Sequence, residues 1–203
     1  MILYYVHDPM CSWCWGFKPT WTKIRSSLAD DIEVKYLLGG LAPDSQEPMP
    51  VSMQNDIAGY WRKIQQHIPG TEFNFDFWEK CAPRRSTYPA CRAVIAARKQ
   101  NTDIERPMIE AIQRAYYLNA QNPSDDDTLI ALAESLGLDA EQFSADLNSS
   151  ETQQQLEQEI QFGRQIGAQG FPSMILETNG NYQYVPLDYI NPGTALSYIN
   201  NVT

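Results

Sequence analysis

The sequence predicts an α/β fold: a βαβ half and a ββα half share one four-stranded sheet, and a large all-helical insertion separates them. Three observations carry this. The chain opens on an apolar run that leads through a CxxC pair into an amphipathic helix, then an alternating strand. It closes on two apolar runs joined by Asn-Gly, followed by a last helical pattern. Between these ends the hydrophobic period is helical almost throughout. The expected division is a sheet-bearing unit of residues 1–45 and 168–203 and a helical insertion of residues 46–167.

Residues 2–6, "ILYYV", read as a short buried strand. From Cys11 onward, Cys14, Phe17, Trp21, Ile24 and Leu28 recur at alternating spacings of three and four, one face of a helix. Pro19 falls inside it and is expected to kink it, because it has no N–H for the backbone ladder. In "IEVKYLL", Ile32, Val34, Tyr36 and Leu38 alternate as one face of a second strand. The two cysteines therefore stand at the N-terminus of the crossover helix.

Gly39 to Pro50 is a Gly/Pro-rich loop. Ser52 is the expected cap of a helix whose buried face is Ile57, Tyr60, Trp61, Ile64 and Ile68. Residues 69–86 read as irregular chain or a hairpin over an aromatic cluster. Helical patterns then cover about 88–100, 104–119, 125–136, 139–147 and 150–167, with Asp139 and Ser150 as N-caps and Gly137 as a C-cap. "SMILE" and "YQYV" flank "TNGN", a short-range hairpin signal, and "GTALSYIN" is the closing helix.

At 203 residues the chain is one domain, or one domain carrying an insertion. It is 43% hydrophobic and 20% charged, with too many aromatics for disorder. A formal charge of −10 repels phosphate backbones and anionic lipid, which argues against nucleic-acid or membrane-surface partners. No segment is long enough to span a bilayer. With no basic n-region before the first apolar run, the expected location is cytoplasmic; an exported mature form with an added Met1 would read the same.

Four cysteines are too few for a stapled scaffold of this length. A thiolate at a helix N-terminus faces unpaired N–H groups and the positive end of the helix dipole. That placement lowers the thiol pKa and makes the sulfur a nucleophile near neutral pH. The geometry assigns Cys11 as the exposed attacking thiol and Cys14, one turn on and facing inward, as the resolving thiol. Ser12 and Trp13 add no cation, so a moderate rather than an extreme oxidant is expected. Zinc is the rival, but it wants four ligands at close spacings. His7 is nearby, His67 is isolated, and Cys81 and Cys91 do not form a second CxxC. Redox chemistry is the better reading, with no metal and no organic cofactor; the Cys11–Cys14 disulfide is itself the redox group. No Gly-rich phosphate loop points to a nucleotide.

"DPMCSWCWGF" after an N-terminal strand, Pro19 five residues past Cys14, and "GAQGFPSMIL" near the end resemble the DsbA-like branch of the thioredoxin superfamily. The likeness is to its FrnE-type and 2-hydroxychromene-2-carboxylate isomerase-like members. "STYPACRAVIAAR" and "YYLNAQNPSDDDTLIALAESLGLDAEQFSADL" also resemble that branch's helical insertion, so the likeness spans nearly the whole chain. The resemblance implies a thioredoxin fold interrupted by a helical domain and thiol–disulfide exchange with protein or peptide thiols. It also implies a cis-proline facing the CxxC, carried here by Gly170, Phe171, Pro172 and Ser173. Pro172 has no N–H to donate, while Phe171 can offer backbone groups to an extended substrate beside Cys11.

Two departures matter. Isomerases and kappa-class glutathione transferases of the branch place Ser at the first cysteine position, whereas this chain keeps both thiols. A glutathione-dependent transferase or isomerase is thus the enzyme alternative, with glutathione as co-substrate; a non-catalytic adaptor or chaperone is the other. Many thioredoxin-fold enzymes also bury a carboxylate near the resolving cysteine, and "ILYYV" contains none. His7, Asp8 and Lys18 are candidates for managing that proton, against a plainer reading as loop or surface residues. Trp13 is expected to face substrate and the other tryptophans to be core. Cys81 and Cys91 read as buried thiols, with a second redox pair as the alternative. Oxidase, reductase and isomerase roles, and monomer or dimer, stay open at this point.

Overall fold

In the computed structural model, which describes residues 1–202, four strands form one sheet in the order β2–β1–β3–β4. They are β1 (Ile2–His7), β2 (Glu33–Leu38), β3 (Ser173–Thr178) and β4 (Asn181–Val185). β1 and β2 run parallel and so need a crossover, which α1 (Ser12–Ser26) supplies; β3 and β4 complete the sheet antiparallel. This is the thioredoxin fold that the sequence predicts. The hairpin turn at Asn179 and Gly180 has φ of 53° and 78°, the two positive values that its right-handed twist demands.

β1 is buried on both faces, and its alternation decides what each face meets. Leu3 and Tyr5 pack with Phe17, Trp21 and Ile24 of α1 and with Ala195 and Ile199 of α9 (Gly193–Val202). Tyr4 and Val6 meet Leu37, Ile175 and the end of α8 (Ser150–Gln165). α1 runs unbroken through Pro19. The ladder bond lost there costs about 3 kcal/mol, offset by the buried face of Cys14, Phe17, Trp21 and Ile24.

The insertion consists of α2 (Val51–His67), α3 (Phe77–Lys80), α4 (Tyr88–Gln100), α5 (Glu105–Tyr117), α6 (Asp126–Ser135), α7 (Ala140–Leu147) and α8. α4 is its axis: every residue from Pro89 to Ala97 is buried, the mark of a helix enclosed on all sides. Arg92 in that run survives burial because its guanidinium grips Asp44 at 2.7 and 2.9 Å and also donates to the Leu147 carbonyl. Among the described residues, no helix is long and apolar enough to cross a membrane.

Several expectations are corrected at element ends. Ser52 does not cap α2; Pro50 holds the cap position, with no side-chain bond. Tyr60 is 52% exposed, so the buried face of α2 is Ala58, Trp61 and Ile64. Asp139 caps α7 through the Gln142 N–H as expected, but the α8 cap is Ser149, which accepts from Thr152 N. Residues 69–86 form neither a hairpin nor wholly irregular chain: they hold α3 and one isolated bridge, Pro48 to Arg84.

Candidate functional site

The site lies where β1, β2 and β3 present their ends near the start of α1. Asp8, immediately after β1, is fully buried, against its plain reading as a surface residue. Its Oδ1 accepts from Met10 N at 2.8 Å, and its Oδ2 accepts from Leu41 N and Thr87 Oγ1, both at 2.7 Å. The Cys91 thiol donates to the same Oδ2 at 3.5 Å, and the Asp8 carbonyl accepts from Cys11 N at 3.0 Å. One carboxylate thus ties the CxxC loop to the loop after β2 and to the head of α4. Burial pushes its pKa up, against these hydrogen bonds, which favour the ionised form.

Cys11 is the N-cap of α1, with extended φ and ψ of −82° and 115°. At that position a side-chain oxygen ordinarily accepts from the N–H groups of the first turn; here a sulfur stands at the helix start and makes no cap hydrogen bond. The Cys11 pKa is lowered, first by the hydrogen bond from the Cys14 thiol, then by the backbone N–H groups of Cys14 and Trp13. Desolvation and the Asp8 charge oppose that shift. Cys14, 1% exposed, is pushed well above an ordinary thiol by burial and by Cys11. The two thiols are thereby driven apart in acidity, Cys11 down and Cys14 up. Cys11 is only 7% exposed rather than an open nucleophile, because a loop and the insertion close over it.

That loop carries a cis Phe171–Pro172 peptide. The Cys11 thiol donates to the Phe171 carbonyl oxygen at 3.5 Å, so these residues do meet across the site. Phe171 lies so close to Gly39 that a Cβ there would fall 2.0 Å from its ring. Cys11, Ser12 and Trp13 line a cavity of about 650 Å³ whose other walls include Gly39–Leu41, Tyr60, Arg85, Arg164 and Phe171. A second cavity of about 410 Å³ continues past Pro172 to Tyr184 and Tyr189, sharing Gln169, Gly170 and Phe171 with the first.

No carboxylate lines the larger cavity, and neither the Arg85 nor the Arg164 guanidinium has an ion pair or hydrogen bond. Nothing in the hydrophobic period marked these arginines: Arg85 lies in irregular chain before α4, and Arg164 on the exposed side of α8. Tyr60 falls in an apolar stripe and is expected in the core, but it is exposed and lines the cavity instead. The Trp13 ring is half-buried on the cavity rim, 5.1 Å from the Tyr189 ring and 6.3 Å from the ring of His67.

His7, the last residue of β1, is 1% exposed, which overturns its reading as a loop residue. Burial lowers its pKa to about 3, and its enclosed Nε2 has no hydrogen-bond partner. Lys18 is partly exposed and pairs with Glu110 at 2.9 Å. His7, Cys14 and Lys18 all line a further cavity, of about 230 Å³. Cys81 and Cys91 are unbridged: Cys81 donates to the Ala120 carbonyl at 3.1 Å, and fully buried Cys91 donates to Asp8.

A thioredoxin family model matches residues 4–185. A Nitrosomonas europaea protein described as a candidate protein disulfide isomerase superposes with a TM-score of 0.85 at 28% identity, over 98% of this chain and 96% of that one. The cytosolic disulfide reductase DsbM of Pseudomonas aeruginosa gives 0.78 at 25% identity, over 100% and 98%; it has also been solved with glutathione. Among curated sequences, the ClpXP adapter protein SpxH of Halalkalibacterium halodurans is 24% identical over 90% of this chain. The chain spans only 63% of that relative's length.

Proposed function

The chain belongs to the thioredoxin family, and from that premise we propose that it is a thiol–disulfide oxidoreductase acting on protein or peptide thiols through Cys11 and Cys14. The observation that carries this is the opposed acidity of two adjacent thiols at the start of α1, beside the Phe171 carbonyl. The Cys11 thiolate attacks a substrate disulfide, forming a mixed disulfide and releasing the first substrate thiolate. Cys14 then attacks Cys11, closing the Cys11–Cys14 bond and releasing the second substrate thiolate. Run backwards, the same steps oxidise a dithiol. The continuous cleft past Phe171 and Pro172 suits an extended peptide better than a compact metabolite. Ser12 and Trp13 leave the reduced form without a neighbouring cation, which favours a reducing or isomerising couple over a strong oxidant. Placement in the cytoplasm belongs to the same proposal and is supported by the cytosolic reductase that the chain resembles.

The test is the reduction potential of the pair in a glutathione series, together with trapping. Cys14→Ser is expected to accumulate a mixed disulfide that the native protein releases, and Cys11→Ser to form none. If no Cys11–Cys14 disulfide forms at any potential, the proposal fails.

A second reading is favoured by the unpaired Arg85 and Arg164 in a cleft without carboxylates. These fit a small thiol bearing two carboxylates, namely glutathione, as co-substrate. An adaptor role, which the named relatives suggest, predicts instead that Cys11→Ser leaves the cellular role intact.

A further inference from the structure

Val6 lines the substrate cleft, while Tyr5 and His7, which point the other way by the period of two, line the 230 Å³ cavity behind Cys14. One wall of this rear cavity is a stack of rings. Trp21 lies on Tyr5 at 4.3 Å and Tyr5 on His7 at 5.4 Å, with Tyr36 edge-on to all three. In a chain of formal charge −10, three cations meet one carboxylate here: Lys18, Arg25 and Arg106 against Glu110. Lys18 pairs with Glu110 at 2.9 Å, which leaves Arg25 and Arg106 without a carboxylate partner. Arg25 stands beside the Tyr36 hydroxyl. Two further polar side chains line the cavity buried and unpartnered: Gln113, 5% exposed, and His7, 1% exposed, with an enclosed Nε2 that makes no hydrogen bond. Buried polar groups are almost always satisfied, so a pair of orphans facing one cavity calls for something that completes them.

We propose that this cavity is a second ligand site, for a small organic carboxylate, and that its occupant restrains Cys14. Size, charge and wall chemistry each narrow the ligand. Drug-sized molecules take pockets of roughly 300–1,000 Å³, so this one suits a body of a single ring or a short chain. The guanidinium groups of Arg25 and Arg106 match a carboxylate, which each can grip with two parallel hydrogen bonds. The aromatic stack wants an apolar body beside that head, which a bare phosphate or sulfate lacks. Gln113 and the imidazole N–H of His7 supply the remaining donors. The effect on Cys14 rests on the oxidoreductase reading: Cys14 must ionise to attack the mixed disulfide, and it lines this cavity. A bound negative charge beside it disfavours the thiolate, whereas Cys11 and the cleft lie across β1.

The experiment is isothermal titration calorimetry of the reduced protein, with benzoate as the probe and benzamide as its uncharged match. Benzoate is expected to bind saturably, and benzamide about tenfold more weakly for want of the charge. Arg25→Ala and Arg106→Ala should each weaken benzoate by about fivefold. Gln113→Leu should weaken it while raising the melting temperature, because an orphaned amide leaves the interior. Arg85→Ala, in the cleft, should keep the native affinity for benzoate. Stopped-flow oxidation by equimolar, uncharged 4,4′-dithiodipyridine in a Cys81→Ser background then reads two thiopyridone releases, attack by Cys11 and resolution by Cys14. Saturating benzoate should slow the second by about tenfold, one pKa unit of lost thiolate, and spare the first. No saturable binding, equal affinity for benzamide, or a loss of affinity in Arg85→Ala would overturn the site. An unslowed second phase at saturation would overturn its hold on Cys14. A protein that never releases the second thiopyridone overturns the dithiol reading instead, and the calorimetry still decides the site.

Discussion

Cys11 occupies the place where helices ordinarily put a serine or aspartate oxygen, and its chemistry follows from that substitution. The first-turn N–H groups would serve any acceptor there, but the larger share of its lowered pKa comes from the Cys14 thiol as donor. Removing that donor is therefore expected to matter more than the helix dipole. The alkylation rate of Cys11 by iodoacetamide, followed against pH, should fall only as pH drops through the lowered native pKa. In Cys14→Ala the midpoint should move up toward the ordinary thiol value of about 8.5. Cys14→Ser, which keeps a hydroxyl donor, should move it less. An unchanged midpoint in Cys14→Ala would assign the shift to the backbone instead. The placement of these two cysteines at a helix start was legible in the sequence because it depends on local spacing. The burial of His7 and Asp8 was not, because it is imposed by Leu41, Thr87 and α5, which are distant in the chain.

At the scale of elements, β2 ends where β3 begins its approach to the site, and the junction has no room for a side chain. Gly39 accommodates the Phe171 ring, and its N–H also donates to the His7 carbonyl at 2.7 Å, so its position is fixed from both sides. Gly39→Ala would place a methyl group inside the aromatic ring. It is expected to displace the Phe171–Pro172 loop and slow Cys11 attack on a peptide disulfide by about tenfold, with overpacking costing roughly 1–3 kcal/mol. Circular dichroism should stay native, and a rate unchanged from the parent would sink the prediction. Sequence periodicity placed every long helix and all four strands, since each carries its own repeat. It failed at Ser52, Ser150 and Tyr60, because caps and stripe edges depend on a chain direction set by neighbouring elements.

Across the whole molecule, a chain of formal charge −10 keeps two unpaired arginine side chains in the wall of the 650 Å³ cleft beside Cys11. The global field repels anions, so any anionic substrate must be captured by this local reversal. Arg85→Ala and Arg164→Ala should each raise KM for oxidised glutathione by about fivefold, near 1 kcal/mol for an exposed charge. Neither should change turnover of an uncharged disulfide, and the difference should shrink as salt is added. Equal effects on both substrates would remove the glutathione reading. The split sheet and its insertion were readable from the order of patterns, whereas the cleft arises only when α2, α8 and the Phe171 loop come together.

β1 stands between the cleft and the 230 Å³ cavity behind Cys14, with Val6 lining one and His7 lining the other. For protein engineering this is a useful partition. Substitutions at Tyr60, Arg85 and Arg164 can retune partner choice without touching a residue that lines the compartment behind Cys14. A library confined to the cleft can therefore explore new substrates while the buried half of the dithiol stays as it is.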